Sequence, residues 1–492
     1  MSASHHYSSA GIIQRLLWLS LVVTGVAPVS AQDEPSSGTS PDDTPLVIDM
    51  RSDAGASSAE AAPPEPSMLI EYRETIADLE SNYGAYAPDL SQHLLGYGTV
   101  LQQLGRHEEA ISALKRAVHL ARVNGGLYSA EQIAMLRSEI RSHSALGDYE
   151  TVDEKQRYLY RVERRALADS PRSSEALMNQ ARWQRDAFLL GVGDAESLAT
   201  RPMVMWDLYR LALTEIVNRD GNKSTSLVEP LLGMLQSQYL VAGVRSYRDM
   251  GPGPSTNDDA IILNGLTFDR GEKVLTAIKE INELQYPGDR IQKAEDLIQL
   301  GDWSWFFGDR RDGMALYQQA LAELAPEPPA AAIGDAEGTE GTEGTEGTVS
   351  SDTEGSTQAA VDRAEAAETA PVEPVSDALD AFYRARASQL FTTPVPLPDV
   401  EGIKPIPPRT EPGDDAELLV ISFTVTESGR AIDVERIQEP DVEDNKRIVR
   451  LSRLIRDTRF RPRIVDGEAV ETTGIIWAFG PSIWAPTEVA MN

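Results

Sequence analysis

The chain has 492 residues and a formal net charge of -32 at pH 7, which argues against nucleic acid as its main partner, because phosphate binding needs a net basic surface. It contains no cysteine, which excludes disulfides, thiolate metal ligands, cysteine nucleophiles and a lipid on an N-terminal cysteine. The length exceeds what one core fills, so two or more domains with linkers are expected.

At the N-terminus Arg15 precedes an apolar run over 16–26, followed by Pro28 and the small residues Val29-Ser30-Ala31 before Gln32. This is the layout of a secretory signal peptide over 1–31, with cleavage between Ala31 and Gln32. The alternative is an uncleaved inner-membrane anchor over 11–29. From 32 to 67 the residues are mostly Asp, Glu, Pro, Ser, Gly and Ala, the composition of a disordered acidic tether. Order is expected from Met68, where Leu69, Tyr72, Ile76 and Leu79 mark an amphipathic helix.

The stretch 94–120 carries Leu94, Tyr97, Leu101, Leu114 and Leu120 at helical steps, broken by Gly105-Arg106. That spacing predicts an antiparallel helix pair with a short turn. Gly98, Gly105, Ala110 and Ala117 are expected where the two helices approach closely. A pair this short cannot bury its own apolar face and needs stacked neighbours. Leu146-Gly147-Asp148-Tyr149-Glu150 repeats the punctuation of Leu104-Gly105-Arg106-His107-Glu108, after about 42 residues rather than the roughly 34 of an ordinary tetratricopeptide repeat. A third copy has Leu297, Leu300 and Gly301 in its first helix and Gly308-Asp309 at its turn. Its Gly313, Tyr317 and Ala320 match Ala110, Leu114 and Ala117. Val152 replaces the small residue in the second copy, so wider helix spacing is expected there. These stretches resemble tetratricopeptide repeats. The resemblance implies a mainly α chain with a helical solenoid over 68–325 and a concave groove that binds a protein segment. Asn124, Asn179 and Arg182 are candidate polar groove positions.

Between the copies, 176–190, 205–217, 230–247 and 273–284 show helical periodicity, and Gly251-Pro252-Gly253-Pro254 marks a loop. Divergent repeats and a separate non-repeat helical domain both fit this block. From 326 to 375 the chain is Glu-, Gly-, Thr-, Ala- and Pro-rich, with EGTEGTEGT at 337–345, as in a disordered, self-repelling linker. Leu379, Phe382, Tyr383 and Leu390 predict a short helix over 376–392 that caps the solenoid or stands free. A Pro-rich extended segment follows over 393–413.

Periodicity then changes to strands. Leu419, Ile421, Phe423 and Val425 alternate with Val420, Ser422, Thr424 and Thr426. Glu427-Ser428-Gly429 turns into a second strand over 431–437, and 445–456 is an amphipathic helix with Ile448, Leu451 and Ile455 on its buried side. Asp466-Gly467 is a hairpin signal before a last strand over 470–479. This ββαβ segment, within 414–482, resembles the C-terminal domain of the TonB family of energy transducers. The resemblance rests on the first strand with its phenylalanine, Gly429, Arg459-Phe460-Arg461-Pro462 and Asp466-Gly467. It implies a small α+β fold, a sheet edge able to accept an extended peptide, and a Gram-negative-type envelope. Ile406-Pro407-Pro408 replaces the family's tyrosine-proline lead-in, and a cleavable N-terminus departs from an anchored transducer.

Lys446, Arg447, Arg450, Arg453, Arg456 and Arg459 crowd the helix and its exit, continued by Arg461 and Arg463. They are either a solvated face, partly neutralised by Glu439, Asp441, Glu443 and Asp444, or a docking face for an anionic partner. Such a partner is an acidic protein, an envelope polymer, lipid headgroups or the chain's own linker. No phosphate loop, dinucleotide fingerprint, nucleophile elbow or metalloprotease helix is present. His93, His107, His119 and His143 are expected to be structural, and Asp258-Asp259 to be solvated loop charges. No catalytic residue, cofactor or metal site is expected. The expected function is that of a non-enzymatic periplasmic scaffold binding protein partners; the alternative is an anchored TonB-like transducer or transport accessory. Mass spectrometry of the protein from its native envelope should give a mature chain beginning at Gln32; a chain retaining 11–29 overturns cleavage.

Overall fold

The computed structural model describes residues 66–168, 170–248, 257–325, 374–413, 417–441 and 446–481. The expected signal peptide with Ala31 and Gln32, the acidic tether, the 251–254 loop and nearly all of the 326–375 linker lie outside them. The described chain is mainly helical with a small C-terminal sheet region. It divides into two compact units, the first reaching Ala277 and the second running Ile278–Glu488.

The first unit is a succession of helices, α1 (Ser67–Tyr83), α2 (Leu90–Gln103), α3 (His107–Gly125), α4 (Gln132–Ala145), α5 (Tyr149–Ala166), α6 (Ser173–Leu190), α7 (Ala195–Asp220) and α8 (Val228–Arg248). Each packs on the next, and α2 also meets α4, as α6 meets α8. The α2–α3 turn is closed by Gly105 N–H to Gln102 O at 3.0 Å and Arg106 N–H to Leu101 O at 2.9 Å, with Gly105 at φ 75°. This is a helix stop that only glycine adopts without strain. Gly147 repeats it between α4 and α5. Gly191 repeats it again between α6 and α7, where the sequence punctuation is not recognisable.

The small residues of 94–120 divide into two roles. A Cβ on Gly98 would lie 2.8 Å from Leu114 Cγ, so this glycine permits the close approach of α2 and α3, and Ala110 and Ala117 are fully buried. Gly105 has open space around it and serves backbone conformation instead. Val152 is fully buried, and α4 and α5 pack less extensively than α2 and α3. The helix expected from 205 starts at Ala195, capped by Asp194, and continues through Pro202. The helix expected over 273–284 is longer, α9 (Asn257–Gln285), so Asp258-Asp259 open a helix rather than sit in a loop. The division between units falls within α9.

The second unit joins what the sequence separates. Helices α10 (Arg290–Phe307) and α11 (Arg310–Glu323) form a hairpin. They cross where a Cβ on Gly301 would lie 2.5 Å from Tyr317 Cε1 and 3.2 Å from Gly313 O. Helix α12 (Pro374–Phe391) lays Phe391, Tyr383, Ala387 and Leu390 onto Leu297, Ile298, Ala320 and Leu324 of that hairpin. The Arg290 guanidinium stacks 4.4 Å from the Tyr383 ring, and Arg386 pairs with Glu295.

Strand β1 (Val395–Leu397) pairs antiparallel with β4 (Arg459–Arg461). The main sheet is antiparallel in the order β3-β2-β7, from β2 (Leu419–Val425), β3 (Ala431–Gln438) and β7 (Thr472–Phe479). Helix α13 (Lys446–Asp457) buries Ile448, Leu451 and Ile455 with Leu419, Ile421, Phe423, Phe460, Trp477 and Phe479. The expected last strand is two elements. A short β6 (Glu468–Val470) pairs with β5 (Arg463–Val465), and β7 returns to the sheet. Asp466 and Gly467 both have positive φ, the conformation a two-residue hairpin needs.

This α+β region is packed on α10 and α11. Arg461 Nη1 lies 3.1 and 2.9 Å from the two Asp302 oxygens, and Tyr317 donates its hydroxyl to Asp302 at 2.8 Å. Gly429, at φ 72°, has Trp305 Nε1 and Phe460 O where a Cβ would stand, 2.5 and 2.1 Å away. Gln318 donates to Gly467 O at 2.8 Å, and Ile464 joins the Trp305–Tyr317 core. The domain boundaries expected at 325 and 414 therefore do not mark the edges of compact units. Both ends of the linker belong to one body.

Removing Arg461 leaves the Asp302 carboxylate buried and uncompensated. Arg461→Leu should lower stability by about 3–5 kcal/mol in urea unfolding, and adding Asp302→Leu should recover much of that loss.

Candidate interaction surfaces

In the first unit α4, α5, α6 and α8 enclose a groove of about 570 Å³. Its floor is Leu159, Met178 and Trp183, all nearly buried. Its rim carries Arg137, Gln156, Asn179, Arg182, Glu175, Asp186 and Glu229. The floor is held rigid from behind. Trp183 Nε1 donates to Asp153 Oδ1 at 2.7 Å, and Arg201, itself buried, reaches the same oxygen at 3.2 Å. Arg201 also bonds Gln184 at 2.9 Å and Val192 O at 3.0 Å, and Arg157 holds the other Asp153 oxygen at 2.8 Å. Burial pushes the Asp153 carboxyl up. The hydrogen bonds from Arg201 and Trp183, with the Arg201 and Arg157 charges, outweigh burial and hold it below the usual value.

On the rim, Arg182 donates to Asn179 Oδ1 at 2.5 Å and pairs with Glu229. Arg137 pairs with Glu163 at 2.6 Å. Asn179 and Arg182 thus meet in one groove, whereas Asn124 bonds Tyr86 O at 3.2 Å and does not line it. An apolar floor beneath amide, guanidinium and carboxylate groups can hold an extended peptide, its side chains on Trp183 and Met178 and its amides on the rim. The sequence shows no sign of this convergence, because the residues come from four helices.

In the second unit Lys446, Arg447, Arg450, Arg453, Arg456 and Arg459 are exposed. Arg450, Arg453 and Arg456 form no ion pair among the described residues. Val449 and Leu454 are exposed beside them. Two residues of the basic run do not belong to this surface. Arg461 is buried on Asp302, and Arg463 is half-buried. Of the acids before the helix, Glu439 pairs with Arg436 at 2.7 Å, and Glu443 and Asp444 lie outside the described residues. Among the described residues strand β3 pairs only with β2, and it exposes Ile432 and Ile437, an apolar-flanked sheet edge.

His143 sits between α4 and α5. It is nearly buried, with Nδ1 2.9 Å from Asp148 Oδ2 and Nε2 3.9 Å from Glu139 Oε1, while Lys155 Nζ lies 2.8 Å from that same Glu139 oxygen. The cluster ties α4 to α5. The buried Nδ1 of His107 has no hydrogen-bond partner among the described residues, and the His119 ring leans on Tyr86. Among the described residues no three His, Asp or Glu side chains are grouped to hold a metal ion, and no helix is long and apolar enough to cross a membrane.

Because the folded Asp153 carboxyl sits below its unfolded value, near 3.8, its stabilising contribution is complete above that pH and is lost as pH falls through the folded value. Urea midpoints measured from pH 7 to pH 2 should fall more steeply in the wild type than in Asp153→Asn over that acidic window.

No protein-family model and no curated protein matches this chain.

Proposed function

We propose that the chain is an exported, non-enzymatic interaction protein of a Gram-negative-type periplasm. Its helical array, which resembles tetratricopeptide repeats, takes an extended segment of a protein partner. Its C-terminal α+β region, which resembles the TonB C-terminal domain, contacts a second envelope component through the basic helix α13. The observation that carries this reading is the groove of α4, α5, α6 and α8, where a braced Trp183 floor underlies Asn179 and Arg182. Fixed polar groups over an apolar floor suit peptide binding, since little side-chain freedom is lost on association. Export is supported by the N-terminal pattern around Ala31 and Gln32 and by the absence of cysteine. Anionic contact through α13 is supported by Arg450, Arg453 and Arg456, which have no carboxylate partner among the described residues.

A photo-crosslinker at Gln156 on the groove rim, introduced into the full-length protein in intact cells, tests the reading. It should trap a discrete envelope protein, and the adduct should fall at least fivefold, about 1 kcal/mol, in Asn179→Ala/Arg182→Ala. Thermal unfolding of that variant should match the wild type. Equal crosslinking by both proteins overturns the groove as the binding site.

A further inference from the structure

Arg430 and Arg459 oppose each other in the second unit, and Arg310 is near enough for its charge to act on Arg459. Arg430 follows Gly429 in the turn just before β3, and Arg459 opens β4. They face each other across an antiparallel bridge, fixed by Phe460 N–H to Gly429 O at 2.9 Å. Directly opposed residues of such a pair hold their Cβ atoms about 4.5–5.5 Å apart, and like charges there are destabilising. The Arg459 guanidinium also reaches the α10–α11 turn, where a Cβ on Gly308 would lie 3.2 Å from its Nη1. Arg310 begins α11 two residues later.

Among the described residues, the side chains of Arg310, Arg430 and Arg459 make no hydrogen bond, ion pair or ring contact. The carboxylates nearest in sequence do not neutralise them. Asp309 turns back to cap α11, accepting from Asp312 N–H at 3.2 Å. Asp312, Glu427 and Asp457 form no ion pair. Partial desolvation of a side chain whose residue is otherwise exposed, together with the charges of Arg430 and Arg310, holds Arg459 below its ordinary value. An arginine nevertheless keeps its proton, so the like charges stay opposed.

We propose that Arg310, Arg430 and Arg459 form a binding site for a phosphate group, carried by a soluble phosphate ester or by a lipid headgroup. Three guanidinium forks approaching from different elements match the several oxygens of a tetrahedral dianion. A carboxylate offers only two oxygens in one plane. The site differs from the outer face of α13, whose arginines are solvated along one helix, because here the backbone bridge holds Arg430 and Arg459 opposite each other. The inference rests on the basic C-terminal surface as a docking face and is independent of the groove in the first unit.

Titration calorimetry of the full-length protein with inorganic phosphate at constant ionic strength should show one saturable site. Arg430→Gln and, separately, Arg310→Gln should each weaken it at least tenfold while keeping the wild-type thermal unfolding. Arg384→Gln, at an exposed position of α12, should bind within about twofold of the wild type. Absence of saturable phosphate binding, coupled with no retention on phosphatidic acid vesicles beyond that on phosphatidylcholine, overturns the site. Equal losses in the Arg430 and Arg384 variants also overturn it, since that is the behaviour of general charge screening. Vesicle retention lost in Arg430→Gln assigns a headgroup, and phosphate binding without vesicle retention assigns a soluble ester; either supports the site. Groove crosslinking unchanged in Arg430→Gln separates failure here from failure of the peptide-binding reading.

Discussion

The Asp302 carboxylate lies where α10, α11 and β4 meet, receiving Arg461 from the strand and Tyr317 from the neighbouring helix. Burial pushes this carboxyl up, and the Arg461 charge with the Tyr317 hydrogen bond opposes that push. A buried pair of this kind contributes little net energy after desolvation, but breaking it is expensive. A slip of β4 along α10 would leave two buried charges unpaired, so the pair sets the register in which the C-terminal sheet docks. Trp305 against Gly429 and Ile464 in the adjoining core depend on that register.

The helical hairpins rest on a different constraint. Each helix of this length buries one face only, and stacking is possible where small residues let backbones approach. Gly98 beneath Leu114 and Gly301 beneath Tyr317 meet that requirement by the same exchange of a missing side chain for a large one. The turns at Gly105, Gly147 and Gly308 were legible because only glycine ends a helix in this way cheaply. The turn at Gly191 has the same bonds but sits in Leu190-Gly191-Val192, without the polar residues that mark the others. Pro202 likewise concealed the start of α7, since a proline within a helix normally signals its end.

The candidate surfaces were legible to unequal degrees. The basic helix follows from spacing alone, because Ile448, Leu451 and Ile455 assign the buried side and leave Arg450 and Arg453 outside. Asn179 and Arg182 could be named as polar helix positions, but not joined to Gln156 and Glu229, which belong to two other helices. Arg461 looked like any other member of a basic run. Its fate depended on a carboxylate 159 residues away in the chain, and no local pattern encodes such a pairing. The Arg310, Arg430 and Arg459 cluster was hidden for the same reason.

Local chemistry in the sequence was enough to set the helices, the change to strand periodicity near Leu419, the Asp466-Gly467 turn and the amphipathic character of α13. These follow from residue spacing and backbone preference, which act over a few neighbours. Only the tertiary structure decided that the last helical hairpin and the C-terminal sheet form one body, because that union depends on burying Asp302 with Arg461 and seating Gly429 on Trp305. Compositional breaks mark where a chain lacks apolar residues, whereas the limits of a compact unit are drawn by which distant side chains bury one another.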